Sequence, residues 1–374
     1  MSTKSKPRLL ILTGVDPSGI YGSQYLVRLH LRLFKEANYP ISLATPFAID
    51  STGKSSPSGF KSGPSFSKVF NLRKLLNNAK TTINAFEPDI ILLENYDAGL
   101  IAGRLRDYTK AKLIYLPHGL LSKELRTYYN IKVFSGLFNW VGENMDKRII
   151  SQTDRICCLT SEWAKYVQSE FNHNQVYSIP PPFYREDFNA EVEEKSLDDS
   201  ILYCGNPDGY QELNLLANAF QRLSMRNSQI KLIIASNVPE RRWSKVIRKY
   251  FNNLNFRLVT PQSISEMVDI AKTAKAAIVT RTDPFGYPMK LFFYVNYHLP
   301  IIAYDCGWVG LEHKKSALLS KTGDVKDMSL NIDKICQDAK LREFLSRNAH
   351  NQFAEKLSPY YIIDRFEKVF SSCK

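Results

Sequence analysis

Short apolar runs alternate along this chain with longer segments whose apolar residues recur at helical spacing. The run at residues 8–14, "RLLILTG", shows no alternation of polar and apolar positions, which is typical of a parallel strand buried on both faces. Residues 24–37 then place Leu26, Leu29 and Leu33 on one face, which predicts an amphipathic helix. Strands that alternate with helices in this way predict right-handed βαβ units on a parallel sheet.

The same pattern extends over the whole chain. Strands are predicted at residues 8–14, 40–47, 88–95, 111–119, 154–160 and 174–183, and again at 198–206, 230–236, 255–260, 274–281 and 299–305. Helices are predicted at residues 24–37, 69–86, 98–109, 128–151, 161–171 and 211–224, with Ser161 as the N-cap of the fifth. Residues 51–68 are rich in Ser, Gly and Pro, which indicates a long mobile loop.

The strand and helix pattern restarts near residue 198, which predicts two doubly wound, Rossmann-like α/β domains. We expect the boundary between them at residues 180–194. Ligands of open parallel sheets bind at the carboxyl ends of the strands. The expected site is therefore a cleft between the two sheets.

Composition limits the class of protein. A chain of 374 residues is long for one core and comfortable for two domains. Its 44% hydrophobic and 23% charged residues are ordinary for a soluble globular protein. The net charge of +13, most of it in the first half, favours an anionic partner such as a nucleotide phosphate, a lipid headgroup or nucleic acid. The polar N-terminal segment and the lack of an apolar run of about 18 residues predict a cytoplasmic protein that at most lies on a membrane.

Several kinds of chemistry lack their usual residues. The six cysteines are not spaced as metal ligands and no Asp-x-Asp pair ends a strand, so we expect neither a metal nor a cofactor. Gly19 and Gly22 would let backbone approach a ligand, but their loop lacks the G-x-G-x-x-G spacing of a nicotinamide site. No nucleic-acid-binding module or basic stripe with stacking aromatics is present, so no nucleic-acid partner is expected.

Six segments follow one another in the order found in GT-B glycosyltransferases, especially family 4. They are "GIYGSQYLVRLHLRLF", "YLPHG", "TDRICCLTSEWAKYV", "VYSIPPPFYREDF", "ILYCGNPDGYQELNLLANAF" and "DPFGYPMKLFFYVNYHLPIIAYDCG". The chain therefore resembles this family over nearly its whole length. The resemblance implies an acceptor domain at residues 1–183, a nucleotide-sugar donor domain at 184–352 and a C-terminal helix at 353–374 that crosses back to the first domain.

The chain departs from the family at positions that hold the donor. In the family an Arg and a later Lys contact the donor diphosphate, and the residues aligned with them here are Asn206 and Glu212. The family also has two glutamates eight positions apart. Here Asp283 replaces the first, and Leu291 or Phe293 replaces the second.

The segment "PMKLFFY" also resembles the "MKL-x-x-Y" segment of the xanthan-type glucuronosyltransferase, another GT-B enzyme, which implies Met289 and Lys290 as donor contacts. A leaving diphosphate gathers negative charge as the glycosidic bond breaks and needs positive charge nearby. Lys290 or Arg281 could supply it, and backbone N–H groups at Gly286 and Tyr287 could add donors. The alternative for both cations is a solvated surface position.

These arguments define a set of candidate site residues. The expected donor-binding residues are Gly22, Asn206, Arg281, Phe285, Gly286, Tyr287, Met289, Lys290 and Phe293. Asp283 is a catalytic candidate that would accept from a sugar hydroxyl, or else caps a helix or a turn. Phe293 would pack on the base or ribose, or else belongs to the core.

His118 is the second catalytic candidate. It ends a predicted strand before Gly119, and a neutral imidazole suits proton transfer or a hydrogen bond to a sugar hydroxyl. The resemblance implies a similar role, since the family has a His or another polar residue there and the xanthan-type relative has an Asp that acts as base. The alternative is a structural histidine.

The first domain also carries a basic and aromatic surface. Residues 128–149 combine Tyr, Phe and Trp with three cations, Lys132, Lys147 and Arg148. The helix predicted at 24–37 adds Arg28, Arg32 and Lys35. Such a surface fits an anionic membrane interface, and related enzymes often use a lipid-linked acceptor. The alternative is that Trp140 and its neighbours are core and the charges form a solvated face.

The leading interpretation is a metal-independent, hexosyltransferase-type glycosyltransferase. It would move a sugar from a UDP- or GDP-linked donor to a glycan, lipid-linked or other acceptor in cell-surface polysaccharide or glycoconjugate synthesis. Family 4 membership would imply retention of anomeric configuration, whereas a xanthan-type relative would invert. The alternative is a catalytically degenerate GT-B pseudoenzyme that acts as a binding or scaffold partner. The expected location is the cytoplasm, with peripheral binding at the inner face of the cell membrane.

Overall fold

The structure is a computed structural model that describes residues 5–19, 22–47, 66–128, 135–185 and 198–372. The chain divides into two compact units. The first consists of Met1–Pro182, Phe285–Tyr287 and Pro359–Lys374, and the second of Phe183–Pro284 and Pro288–Ser358. None of the helices in these described ranges is long and apolar enough to cross a membrane.

The twelve strands found in the described residues lie in two parallel sheets of six. The strands are β1 Leu9–Thr13, β2 Ile41–Ala44, β3 Ile90–Glu94, β4 Lys112–Leu116, β5 Arg155–Cys158, β6 Val176–Ser178, β7 Asp198–Cys204, β8 Lys231–Ala235, β9 Phe256–Val259, β10 Ala274–Val279, β11 Ile301–Tyr304 and β12 Ala317–Ser320. The order is β2-β1-β3-β4-β5-β6 in the first unit and β12-β11-β10-β7-β8-β9 in the second. Two doubly wound sheets are therefore confirmed.

Fourteen α-helices are found among the described residues. They are α1 Gly22–Glu36, α2 Phe66–Phe86, α3 Asn95–Gly99, α4 Ala102–Arg106, α5 Leu121–Tyr128, α6 Ser135–Ser151, α7 Ser161–Phe171, α8 Leu213–Ser224, α9 Glu240–Val246, α10 Ile264–Thr273, α11 Lys290–Asn296, α12 Val325–Gln337, α13 Ala339–Lys356 and α14 Pro359–Ser371. A 3₁₀ turn at Gly209–Gln211 precedes α8, and a π turn at Ile247–Phe251 follows α9.

Several predicted boundaries differ from the structure. The helix expected at 98–109 is two short helices, α3 and α4. Of the helix expected at 128–151, residue 128 ends α5, residues 135–151 form α6, and residues 129–134 lie outside the described residues. The predicted loop at 51–68 lies outside the described residues up to residue 65, after which α2 begins. Strand β12 was not predicted because its run of apolar residues is short.

The N-cap of α7 is Thr160, so the prediction of Ser161 was wrong by one residue. Thr160 has extended backbone angles, and its side-chain oxygen accepts a hydrogen bond from the backbone N–H of Trp163 at 3.2 Å. This satisfies one of the free N–H groups of the first turn. Ser161 is already the first helical residue.

The last helix completes the core of the first unit. In α14, Ile362, Phe366 and Phe370 are buried together with Phe34 of α1 in one hydrophobic cluster. The rings of Phe34 and Phe366 lie 5.0 Å apart in an edge-to-face arrangement, which is a favourable geometry for aromatic pairs. The segment expected to return at residue 353 therefore begins its return at residue 359, because residue 353 still belongs to α13.

Candidate functional site

Lys290 lies beside the carboxyl end of β7 in the second unit. It is the first residue of α11, and its Nζ donates a hydrogen bond to Gln211 Oε1 at 3.0 Å. The same ammonium lies 4.2 Å from the centroid of the Tyr203 ring, a cation–π contact. A β-carbon on Gly205 would come within 3.0 Å of Lys290 Nζ and 2.7 Å of Tyr203 Oη, so the glycine leaves room for this arrangement.

The position of Lys290 is fixed by side chains that tie α11 to the strands. The Tyr294 hydroxyl, one turn along α11, accepts a hydrogen bond from the Cys204 backbone N–H at 2.8 Å. Thr280, just after β10, donates through Oγ1 to the Gln211 carbonyl at 2.6 Å. Both partners of the lysine are therefore held by the ends of β7 and β10.

The surroundings of Lys290 favour its neutral form. Burial lowers the pKa of its ammonium to about 7, while Cys204 opposes the shift and Arg281 adds to it. A cation desolvated in this way gains strongly when an anion arrives. Lys290 is only partly exposed, which rules out the solvated surface position considered as its alternative.

Arg281 belongs to the same cluster. Its side chain is 11% exposed, and its Nη2 donates to Asp283 Oδ1 at 3.0 Å. Its guanidinium also lies 5.3 Å from the centroid of the Tyr210 ring. Burial and then the charge of Asp283 raise the pKa of Glu212, so Glu212 lies near the carboxylate of Asp283. Asp283 is thus paired with Arg281.

Asn206 and Glu212, the residues at the family's Arg and Lys positions, lie in the segment between β7 and α8. The Oδ1 of Asn206 is buried and has no hydrogen-bond partner among the described residues. Its side chain also bonds to Asp208, whose pKa is raised by burial and lowered in part by Arg242 and Asn206. Glu212 has left-handed backbone angles before α8, and its neighbour Gln211 is the residue that meets Lys290.

Phe285, in the loop before α11, belongs to the first unit. Its ring lies 4.8 Å from the Tyr166 ring and 6.2 Å from that of Trp163, both in α7. Lys123 Nζ lies 5.6 Å from the centroid of the same ring. The glycine that follows, Gly286, has φ of 117°, a conformation that L side chains rarely adopt. The Phe285 ring thus has two aromatic rings of α7 and one ammonium group as neighbours.

The other expected donor contacts are spread around α11 and α1. Met289 is the N-cap residue of α11 and is partly buried, while Tyr287 is buried. Phe293 is partly buried and packs on Tyr297 with 4.7 Å between ring centroids. Gly22 is the exposed first residue of α1.

A second polar cluster lies in the first unit, where β3 and β4 end. The buried Glu94 carboxylate contacts His30 Nδ1 at 2.7 Å through Oε1 and His118 Nε2 at 2.8 Å through Oε2. The side chain of Glu94 is fully buried and that of His118 is 5% exposed. Burial alone would raise the pKa of Glu94, but the electrostatic effect of His30 and the hydrogen bonds from both imidazoles lower it to about 2. This Glu94 is an ionised carboxylate between two rings.

Glu94 and His30 were not predicted, although the sequence contains a signal for each. Glu94 is the single charged residue that closes the apolar run "IILLE", at the carboxyl end of a parallel strand where ligands bind. His30 shares the buried face of α1 with Leu26 and Leu33. Gln211 and Tyr203 carry no comparable signal, because their relation to Lys290 depends on contacts across about 80 residues.

Helix α6 presents the exposed face that the sequence suggested. Trp140 is 62% exposed and Met145 is 36% exposed, and Lys147 and Arg148 are exposed beside them. The interpretation of Trp140 as a core residue is therefore wrong. Lys132 lies outside the described residues.

Two of the three cations predicted on α1 have partners within the first unit. Arg28 donates to the Pro17 carbonyl at 2.7 Å and to the Gly19 carbonyl, and thereby holds the loop before the helix. Arg32 pairs with Glu36 at 2.7 Å. The third cation predicted on this helix, Lys35, is exposed.

Residues 185–352, somewhat less than half of the chain, match the family model of the glycosyl transferases group 1. Apart from residues 285–287, the stretch that is similar to this family lies in the second unit. No curated protein matches the chain significantly. No cluster of three or more potential metal-ligating side chains occurs in the parts of the chain that the structure describes.

Solved structures share the architecture of the whole chain. Sucrose-phosphate synthase from Thermosynechococcus elongatus is 15% identical with a TM-score of 0.75, and the match covers 98% of each chain. HepE from Anabaena, in complex with UDP-glucose, is 12% identical with a TM-score of 0.67 over 98% of this chain and 100% of that one. The catalytic domain of starch synthase IV from Arabidopsis thaliana, bound to ADP and acarbose, is 10% identical with a TM-score of 0.70 over 99% of each chain. These similarities confirm the GT-B fold.

Proposed function

Given the group 1 domain at residues 185–352, we propose that the protein is a glycosyltransferase that uses a nucleoside-diphosphate sugar. The observation that carries the proposal is the position of Lys290. Its ammonium lies at the carboxyl end of a parallel sheet, in a domain of a family whose name states the activity. Carboxyl ends of such sheets are where doubly wound domains bind ligands.

The cluster has the charges that the reaction needs. When the bond from the sugar to the diphosphate breaks, its electron pair leaves with the phosphate, and preorganised cations stabilise the charge that develops. Lys290 would face the diphosphate and exchange its hydrogen bond with Gln211 for one to a phosphate oxygen. Arg281 could add a second positive charge on release from Asp283, which could then accept from a sugar hydroxyl.

The finer features of the reaction are also proposals. HepE and starch synthase IV were solved with UDP-glucose and with ADP, which supports a nucleotide-linked donor, and we propose UDP or GDP. The acceptor would be a glycan or a lipid-linked saccharide in glycoconjugate synthesis. We propose that Lys290 and Arg281 supply the charge that a metal ion gives in other transferases, so a chelator should leave the rate unchanged. Family 4 implies that the anomeric configuration of the sugar is retained. Proton NMR of the first product would distinguish retention from inversion.

A panel of nucleotide sugars tests the proposal most directly. A ligand that binds only the folded state stabilises it by about 2.7 kcal/mol at a concentration of about 100 times its Kd. We expect one nucleoside diphosphate and its sugar conjugates to raise the melting temperature, and the same sugar nucleotide to be consumed when acceptors are added. The corresponding nucleoside should have little effect. Absence of any shift across UDP, GDP, ADP and their sugars would contradict the proposal.

Nucleotide affinity should fall as the pH rises above 7. The Lys290 pKa is lowered to about 7 in the free protein, so above this pH the lysine must take up a proton to meet the diphosphate. The affinity for the nucleotide then falls by up to about tenfold per pH unit, until the pH reaches the pKa of Lys290 in the complex. Calorimetry at alkaline pH in buffers of different ionisation enthalpy should show proton uptake on binding. An affinity that stays the same above pH 7 would contradict the assignment of Lys290 as the diphosphate contact.

We also propose that α6 of the first unit binds an anionic membrane surface, which would make the protein peripheral at the cytoplasmic face. Trp140 and Met145 supply apolar side chains, and Lys147 and Arg148 supply adjacent positive charge. An aromatic residue flanked by cations on an exposed helix is the pattern of interfacial helices. Acidic lipid attracts each such cation by about 1 kcal/mol.

Replacing Trp140 by Ala should weaken binding to vesicles that contain phosphatidylglycerol by about tenfold, because a large apolar side chain contributes about 1.5–3 kcal/mol on burial. Sedimentation with such vesicles measures the change. Met225→Ala, which alters an 80% exposed residue of the second unit, is the matched control and should bind normally. Equal binding to vesicles of neutral lipid alone would speak against the electrostatic part of the proposal.

A further inference from the structure

We infer that Glu94 is a positioning residue that holds the His118 ring in one tautomer, with Nδ1 as a bare acceptor for a sugar hydroxyl. The inference rests on the proposed function only for the nature of that hydroxyl. Its geometry is the bridge already described, with 2.8 Å from Glu94 Oε2 to His118 Nε2 and 2.7 Å from Oε1 to His30 Nδ1.

The tautomer follows from hydrogen-bond chemistry. An ionised carboxylate can only accept hydrogen bonds, so each ring nitrogen that faces it must carry a hydrogen. For His118 this nitrogen is Nε2, and a neutral ring then has its lone pair on Nδ1. For His30 the assignment is reversed, with the hydrogen on Nδ1. Acceptors placed in this way commonly fix which nitrogen of a functional histidine is protonated.

The remaining nitrogen of His118, Nδ1, is buried and has no hydrogen-bond partner within the described residues to set its role. A buried polar atom without a partner is costly, and a catalytic role is one of the explanations for such an atom in a native protein. A ligand hydroxyl would satisfy Nδ1 by donating to it. An ionised phosphate or carboxylate would not, because it has no hydrogen to donate to a lone pair.

Glu94 can impose this state because it is itself fixed. It is fully buried at the end of β3 and has a ring on each oxygen. The His30 ring packs edge-on against Phe366 with 5.6 Å between centroids, so it is held from the far side. Glu94 therefore presents Oε2 to His118 Nε2 from a fixed position.

The tautomer can be measured in the unmodified protein. Nitrogen-15 labelling of histidine with long-range proton correlation distinguishes a protonated ring nitrogen from a bare one, and the chain has six histidines. His118→Asn assigns the signal. We expect the neutral His118 ring to carry its hydrogen on Nε2. A hydrogen on Nδ1, or a ring that carries both near neutral pH, would overturn the inference.

Glu94→Gln tests the role of the carboxylate. A carboxamide offers one acceptor and one donor group, so it cannot accept from both rings, and one of them must turn or change tautomer. We expect a mixed His118 tautomer and a kcat lower by about 10²-fold with less than about threefold change in the donor KM. Asp89→Asn, at the exposed position just before the same strand, is the matched control and should change neither.

A second variant separates positioning from general damage to the fold. In His30→Asn/Glu94→Gln, the amide group introduced at position 94 can donate to the side-chain oxygen introduced at position 30, and its carbonyl can accept from His118 again. We expect the His118 tautomer and most of kcat to return. A double variant that is worse than Glu94→Gln in both readouts would refute the inference. If the unmodified protein turns over no sugar nucleotide, the proposed function fails. The inference about Glu94 is still tested by the measured tautomer of His118.

Discussion

Lys290→Met should weaken the binding of the preferred nucleoside diphosphate by about 10- to 100-fold, because a hydrogen bond to a charged group contributes about 1.5–3 kcal/mol. The rate of transfer should fall further, by about 10²–10³-fold in kcat, since the charge matters most as the diphosphate leaves. Methionine keeps much of the length of the side chain, and Gly205 leaves space for it. Calorimetric titration and initial rates measure the two effects.

The control for this variant is Lys334→Met. It removes one positive charge from an exposed position on α12 of the same unit and should leave both affinity and rate unchanged. If Lys290→Met binds nucleotide as well as the unmodified protein, Lys290 is not the diphosphate contact. A loss that appears equally in the Lys334 variant would indicate a general effect of net charge instead.

Phe366→Ala should lower the stability of the first unit by about 3–5 kcal/mol, the usual cost of removing a buried phenyl ring. The ring is fully buried and lies edge-on to Phe34 and His30. Hydrogen exchange followed by mass spectrometry reports each unit separately, which matters because a chain with two units need not unfold in one step. Exchange should become faster in α1, β1 and β3, and remain unchanged in β7 and β10.

Tyr360→Ala is the matched substitution on the same helix. Tyr360 is 84% exposed, so its replacement should change the free energy of opening measured by hydrogen exchange by less than about 0.5 kcal/mol. Equal protection of α1 in the Phe366 variant and the unmodified protein would mean that α14 contributes little to the core of the first unit.

The apolar pattern predicted most of the fold because the strands of both sheets are largely buried on their two faces. Runs such as those of β1 and β11 are buried at every position, and helices between them keep one apolar face. The pattern fails where its local signal is weak. Strand β12 has four residues, and the two short helices α3 and α4 follow each other so closely that the sequence resembles one continuous helix.

The candidate site was predictable to the extent that its residues lie at strand ends. His118 and Arg281 were predicted in this way, and Lys290 was predicted from the resemblance of "PMKLFFY" and its place after a glycine-containing loop. Their partners were not, because Glu94 is 24 residues before His118 and Gln211 is 79 residues before Lys290. Spacing along the chain cannot show which side chains meet once several strand ends are brought together. The tautomer of His118 and the lowered Lys290 pKa both depend on such meetings.

The packing of α14 also sets the order in which the protein can mature during translation. Residues 183–284 and 288–358 make up the second unit, and a ribosome synthesises all of them before it reaches α14. The first unit, although most of it emerges earliest, must therefore wait with Phe34 uncovered until residues 359–371 arrive. Nascent domains usually fold in the order of synthesis. Here the later one can finish first, and the earlier one needs protection from aggregation in the interval.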